Sequence, residues 1–198
     1  MLLNIAIVII AYLIGSISSA VVICKLMQLD DPRTSGSNNP GATNVLRLHG
    51  KKPAILTLTG DVLKGLLPVL LAHALTVPDL FIALSGLAAF TGHIFPVFFG
   101  FRGGKGVATL IGILFGIYWM LGIAFVITWL IVALLFRYSS LAGLTAAGLS
   151  PVYTLMLAPS AAYIICISIM VIILFWRHRS NIKNLISGKE NKIGIGKI

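Results

Sequence analysis

No charged side chain interrupts residues 107–136. A stretch that long without a charge belongs in hydrocarbon, and its length limits how it can lie there. As one helix it would extend about 45 Å, against a bilayer core of about 30 Å. As two helices each would be short, roughly 22 Å, with a turn between residues 116 and 122. Length alone leaves both arrangements open. The rest of the chain is of the same kind: of 198 residues, 58% are hydrophobic and 10% charged, and the mean hydropathy is +1.02. A soluble domain carries about 25% charged residues, so residues 1–198 read as a single all-α polytopic membrane domain.

Other apolar runs supply the remaining spans. Residues 1–24 form a first span in which Gly15, Ser16, Ser18, Ser19 and Ala20 allow close helix packing. No cation precedes that run, as one would in a secretory signal, so it reads as a retained membrane helix. Residues 53–76 form a second span carrying Asp61 and Lys64, and Thr76-Val77-Pro78-Asp79 turns into a third. Residues 138–176 accommodate two more, with a break near 158–160. Charge decides the 107–136 stretch. With a hairpin there, Lys25, Arg33, Arg47, Lys51, Lys52, Arg102, Lys105, Arg137 and all the tail cations through Lys197 share one face. Lys64 sits in the half-span nearest to it, and the opposite face holds only Asp79. A single span would invert Arg137 and the tail. The positive-inside rule therefore predicts seven spans, the N-terminus periplasmic, the C-terminus cytoplasmic, and spans four and five short. The net charge of +10 belongs to that face and does not indicate nucleic acid. Cys24 and Cys166 form neither a disulfide framework nor a metal-ligand cluster.

This topology gathers three polar segments on one side. Residues 35–47 are dense in hydroxyls, amides and turn residues and end in Arg47, whose guanidinium can fork onto an anion. The same composition also makes ordinary solvated turns. In residues 92–109 an aromatic run meets a glycine cluster holding Arg102 and Lys105. Glycines let backbone N–H groups approach an anion closely, so this reads as a phosphate cradle, or else as a turn whose cations only set topology. It is no Walker A loop, because Phe99 stands where that motif needs its first glycine and Gly106 where it needs Ser or Thr. The third segment, residues 177–182, continues the last span. There His178 and Asn181 share a helix face and could orient a hydroxyl or accept its proton, although Arg and His beside Trp176 also anchor helices at headgroups. Asp61 and Lys64, three residues apart within a span, read as a structural pair bracing the site, and His93 reads as structural too.

Together these segments resemble the three motifs of the bacterial acyl-phosphate:glycerol-3-phosphate acyltransferases, the PlsY family. Ser-x-Asn-Pro-Gly-Ala-Thr-Asn-x-x-Arg falls on residues 37–47. His-x-x-Pro-Val-Phe-x-x-Phe-x-Gly-Gly-Lys-Gly-Val-Ala-Thr falls on 93–109, and Arg-His-x-x-Asn-Ile-x-x-Leu-x-x-Gly-x-Glu on 177–190. Two positions depart from the usual pattern. Asn38 replaces a glycine, which Asn can do because it tolerates the left-handed region, and Arg102 replaces a frequent Lys.

The resemblance implies transfer of a fatty acyl group from acyl phosphate to the 1-hydroxyl of sn-glycerol 3-phosphate, giving lysophosphatidic acid and phosphate in phospholipid synthesis. It implies Ser37, Arg47, Lys105, His178 and Asn181 as catalytic residues. Asn39, Gly41, Thr43, Asn44, Gly103, Gly104, Gly106 and Ser140 would bind substrate, and Glu190 would stabilise the tail. It implies no cofactor and no metal, a donor supplied by a separate phosphate acyltransferase, and a cytoplasm-facing site in the bacterial inner membrane. The residues suggest direct attack on the mixed anhydride, since neither cysteine is placed to carry an acyl group. No His is followed five residues later by Asp, the pattern of other glycerol-phosphate acyltransferases. The alternative, a small transporter of an anionic solute, would show paired repeats and polar groups on both faces.

Overall fold

The computed structural model describes residues 1–194; Lys197, one of the cations placed on the charged face, lies outside the described residues. Among them every regular element is helical. The order is α1 (Leu2–Gly15), α2 (Ser19–Leu26), α3 (Ala42–His49), α4 (Lys51–Ala74), α5 (Asp79–Ile94), a 3-10 turn (Val97–Phe99) and α6 (Val107–Ile117). Then follow α7 (Trp119–Phe136), α8 (Ser139–Leu157), α9 (Ala161–Arg177) and α10 (Arg179–Ile186). α4, α7, α8 and α5 continued through the 3-10 turn to Phe99 are long and apolar enough to cross a membrane, and counting the bent pairs α1–α2 and α9–α10 as single spans raises the number from four to six.

Glycine lets the helices close on one another. A Cβ at Gly15 would overlap the carbonyl of Ala89, and one at Gly92 the carbonyl of Tyr12, so α1 and α5 touch backbone to backbone. Gly65 and Gly112 make the same kind of contact between α4 and α6. Lipid tails are as apolar as leucine, so helix association in a bilayer comes from this close packing rather than from the hydrophobic effect. Phe90, Ile94, Leu110, Ile113, Leu114, Leu121, Phe125, Ile167, Met170 and Leu174 fill the centre. Leu and Ile side chains on the outer faces of α4, α7, α8 and α9 stay exposed, as a lipid-facing belt requires.

Two breaks sharpen the sequence reading. The expected turn in the uncharged stretch falls at Tyr118, which is extended (φ −157°, ψ 122°). The halves are unequal, however: α6 has 11 residues and α7 has 18, or about 16 and 27 Å. The first span is not one helix. It bends by 46° between α1 and α2, which frees the carbonyl of Ile17, and Lys64 of α4 donates to that oxygen at 2.9 Å. A backbone group released inside hydrocarbon must find such a partner.

Candidate active site

Loop–helix junctions at one end of the bundle build a single pocket. The first is organised around Asn44, buried at the start of α3. Its Oδ1 accepts the Ser37 N–H at 2.9 Å, and its Nδ2 donates to the carbonyls of Pro32 (2.9 Å) and Ser35 (3.2 Å). Asn38 adopts φ 55°, the left-handed conformation for which Asn is the best substitute after glycine. Arg33, paired with Asp31 at 2.6 Å, reaches the Phe99 carbonyl at 3.4 Å and its ring at 5.9 Å, tying this loop to the next.

The glycine turn lies on the end of α5. Gly104 donates to the His93 carbonyl at 3.1 Å, and Gly106 takes φ 93° before α6 begins. Arg177 clamps the turn from α9, with Nη2 donating to Gly103 O at 2.9 Å and Nε to Gly104 O at 3.2 Å. The glycines are therefore required by packing: side chains at 103, 104 and 106 would run into His93, Ile94 and Phe90. Gly103 and Gly104 are not among the residues lining the pocket, whereas Lys105 and Gly106 are.

At the bend between α9 and α10, His178 is 4% exposed. Its Nδ1 lies 2.8 Å from the Leu174 carbonyl. A carbonyl can only accept, so Nδ1 carries the hydrogen and Nε2 is left with a free lone pair. Burial, the largest influence, pushes the imidazole pKa down to about 4; the bond to Leu174 opposes it, and Lys105 and Arg177 reinforce it. Lys105 is likewise lowered, first by burial and further by Arg177 and Arg47, while Glu190 works against the shift. Its Nζ donates to Asn181 Oδ1. Asn181 Nδ2 donates to Glu190 Oε1 at 2.7 Å, and Ser140 Oγ donates to the same oxygen at 2.6 Å. Glu190 reaches this position because the tail turns back, its Ile193 N–H bonding to the Arg137 carbonyl at 2.6 Å. The tail thus supplies a carboxylate to the pocket itself, where sequence reasoning assigns Glu190 only to tail stability.

The pocket encloses about 420 Å³. Ser37, Asn39, Gly41, Thr43, Arg47, Lys105, Gly106, Ser140, His178, Asn181 and Glu190 line its polar part. Its apolar part runs between Leu58 and Val62 of α4, Val107, Ala108 and Ile111 of α6, and Val126, Trp129 and Leu130 of α7. A smaller cavity of about 210 Å³ shares Ser37, Asn39 and Lys105 and adds Asn38, Arg177, Arg179 and Ser180. The structure thus brings together ten of the thirteen residues expected at the site, and Asn44 also lies at the wall, with its amide committed to the loop. Sequence reasoning missed the apolar wall, whose residues look like any span. It also missed the bracing roles of Arg33 and Arg177, for which a cation just before the first motif and another at the head of the third were the available signal.

The fold and the site define a helical membrane protein with a polar, cationic pocket at one end, continued by an apolar limb between its helices. A family model described as glycerol-3-phosphate acyltransferase matches residues 5–188. The glycerol-3-phosphate acyltransferase of Thioalkalivibrio sulfidiphilus is 54% identical over 194 residues, covering 98% of this chain and 96% of that protein. That of Francisella tularensis subsp. holarctica is 54% identical over 195 residues, covering 97% and 94%. Crystal structures of PlsY, an integral membrane glycerol 3-phosphate acyltransferase, superpose closely. The glycerol 3-phosphate form gives a TM-score of 0.92 at 38% identity, covering 96% of each chain. The lysophosphatidic acid form gives 0.90 at 38% identity, covering 96% of this chain and 95% of that one. The chain belongs to the glycerol-3-phosphate acyltransferase family.

Proposed function

We propose that this protein transfers a fatty acyl group from acyl phosphate to the 1-hydroxyl of sn-glycerol 3-phosphate, releasing lysophosphatidic acid and inorganic phosphate. The observation that carries the reading is the continuity of the pocket. Arg47, Lys105, His178 and Asn181 stand at its polar part, and an apolar limb leads from there between α4, α6 and α7. Two phosphate-bearing substrates suit a polar region that extends into a second cavity flanked by Arg177 and Arg179.

In this mechanism the glycerol hydroxyl attacks the carbonyl carbon of the mixed anhydride, the carbon–oxygen bond to phosphate breaks, and phosphate leaves. Arg47 and Lys105 neutralise the charge gathering on the leaving group, and Ser37 and Asn39 donate to its oxygens. His178, neutral through burial, accepts a hydrogen bond from the attacking hydroxyl and orients it. With a pKa of about 4 it is a far weaker base than the phosphate oxygen that takes the electron pair of the broken bond, so the proton ends on the departing inorganic phosphate. Asn181, held between Lys105 and Glu190, places the cation, and Ser140 completes that wall. The donor is already activated, so positioning and charge neutralisation suffice without a covalent acyl-enzyme.

The membrane arrangement we propose has seven spans, counting the short α6 with the six longer ones, with the N-terminus periplasmic and the C-terminus cytoplasmic in the bacterial inner membrane. The pocket then faces the cytoplasm, where a separate phosphate acyltransferase delivers the donor, and residues 1–198 act as one domain. Purified protein in lipid, given acyl phosphate and glycerol 3-phosphate, should release phosphate and lysophosphatidic acid in equal amounts. Absence of product with substrates shown to be intact would reject the donor assignment, and an acylated protein formed from acyl phosphate alone would reject direct attack.

A further inference from the structure

We propose that His93 is a positioning residue whose ring is the bed on which Gly104 rests, and that this bed sets where Lys105 meets the phosphate of glycerol 3-phosphate. The inference rests on the function proposed above. His93 stands near the C-terminal end of α5 and is 5% exposed. Its carbonyl receives the Gly104 N–H at 3.1 Å. Its ring occupies the space in which a Gly104 side chain would lie: an added Cβ there would overlap Nε2 and stand 2.7 Å from Cε1. One turn earlier on the same helix, Phe90 fills the corresponding space under Gly106, where an added Cβ would stand 2.7 Å from the ring Cζ. Lys105 lies between these two seated glycines, so the height of the α5 side chains fixes the backbone that carries it.

A buried charge pair lies below the bed, in packing contact with the ring rather than hydrogen-bonded to it. His93 Nδ1 lies 3.7 Å from Asp61 Oδ1, Asp61 is paired with Lys64 Nζ at 2.8 Å, and Lys64 donates to Ile17 O at 2.9 Å. A chain of contacts thus runs from the break in the first span through α4 and α5 to the glycine turn. The charge pair, costly inside a span, is thus packed directly against the support of the site. His93 and Asp61 also form part of the pocket wall. Two surfaces in contact, one a glycine and one a ring, make the arrangement sterically reciprocal.

The test compares glycerol 3-phosphate affinity by calorimetry in the wild type, Gly104→Ala, His93→Ala, the double variant and His93→Phe, with no donor present. Turnover of the wild type with acyl phosphate, measured separately, reports on the donor assignment alone. Gly104→Ala should weaken binding about tenfold, as overpacking does. His93→Ala should weaken it several-fold, and adding Gly104→Ala to His93→Ala should cost less than about threefold further, because the ring that the new methyl group would strike is gone. His93→Phe keeps a ring without nitrogens and should bind within about threefold of wild type, with a KM near normal in the full reaction. Equal weakening by Gly104→Ala in both backgrounds would overturn the proposal. So would a His93→Phe protein as impaired as His93→Ala, a comparison that decides the matter even where Gly104→Ala fails to fold.

Discussion

The protonation state of His178 is the sharpest consequence of the site. Its ring is buried and its pKa is about 4, against 6.5 for an ordinary histidine. At pH 6.5 an ordinary imidazole is half protonated, whereas this one carries a proton in roughly 1 molecule in 300. In the proposed mechanism a neutral Nε2 accepts a hydrogen bond from the glycerol hydroxyl, so the active form should be lost only as the pH falls through about 4. Between pH 5 and 8 the enzyme's own histidine should leave kcat/KM flat. Any limb near pH 6 then belongs to a substrate phosphate, whose second pKa is about 6. The same shift makes a stability statement. The unfolded chain takes up the proton near pH 6.5 and the folded chain only near 4, so stability should fall as pH drops through that window, by about 3 kcal/mol in full. The assay is kcat/KM for glycerol 3-phosphate from pH 4.5 to 8.5 in lipid, on wild type and His178→Asn, with an acceptor of different phosphate pKa as comparison. A limb near 6.5 that stays fixed when the acceptor changes and disappears in His178→Asn would refute the reasoning.

Further substitutions test the braces and the walls. Arg177→Ala frees the carbonyls of Gly103 and Gly104 and should lower kcat/KM for glycerol 3-phosphate by about 2–4 kcal/mol equivalent; Arg177→Lys should recover less than half of that. Gly112→Ala would drive a methyl into the Val62 carbonyl and should lower stability in detergent by about 1–3 kcal/mol, whereas Gly148→Ala meets only the Phe175 ring at 3.6 Å and should be close to neutral. Lys64→Met strands a buried carboxylate and should cost about 3–5 kcal/mol in an unfolding titration, and pairing it with Asp61→Leu should recover most of the loss. Ile111→Phe narrows the apolar limb and should slow long-chain donors more than short ones, about fourfold for each methylene displaced.

Much of this was legible in the sequence because hydrocarbon imposes simple rules. A run without charge, a one-sided set of cations and turn residues at the ends mark spans, and the structure puts helix boundaries within the expected breaks at 76–79, 116–122 and 158–160. What stayed hidden depends on which small residues meet. The bend after Gly15 reads in sequence as a stripe of small residues fit for packing, which it also is; that the helix stops there depends on Lys64, far along the chain in α4, meeting the freed Ile17 carbonyl. Glu190 stood in a recognised pattern, yet its return to Ser140 and Asn181 depends on a tail conformation for which charge spacing carries no signal.

In the glycine turn the residue types suggest one cause and the packing supplies another. From residue types alone its glycines look selected so that backbone N–H groups can approach a phosphate. In the fold, the Gly104 N–H is already spent on the His93 carbonyl, and the carbonyls of Gly103 and Gly104 are held by Arg177. The missing side chains make room for α5, and the pocket is faced instead by Lys105, which projects from a turn fixed on both sides. A cation on a rigid support loses little freedom when an anion arrives, and its direction does not depend on the ligand to set it. Substituting these glycines should therefore impair acceptor binding even if no phosphate oxygen ever contacts their amides.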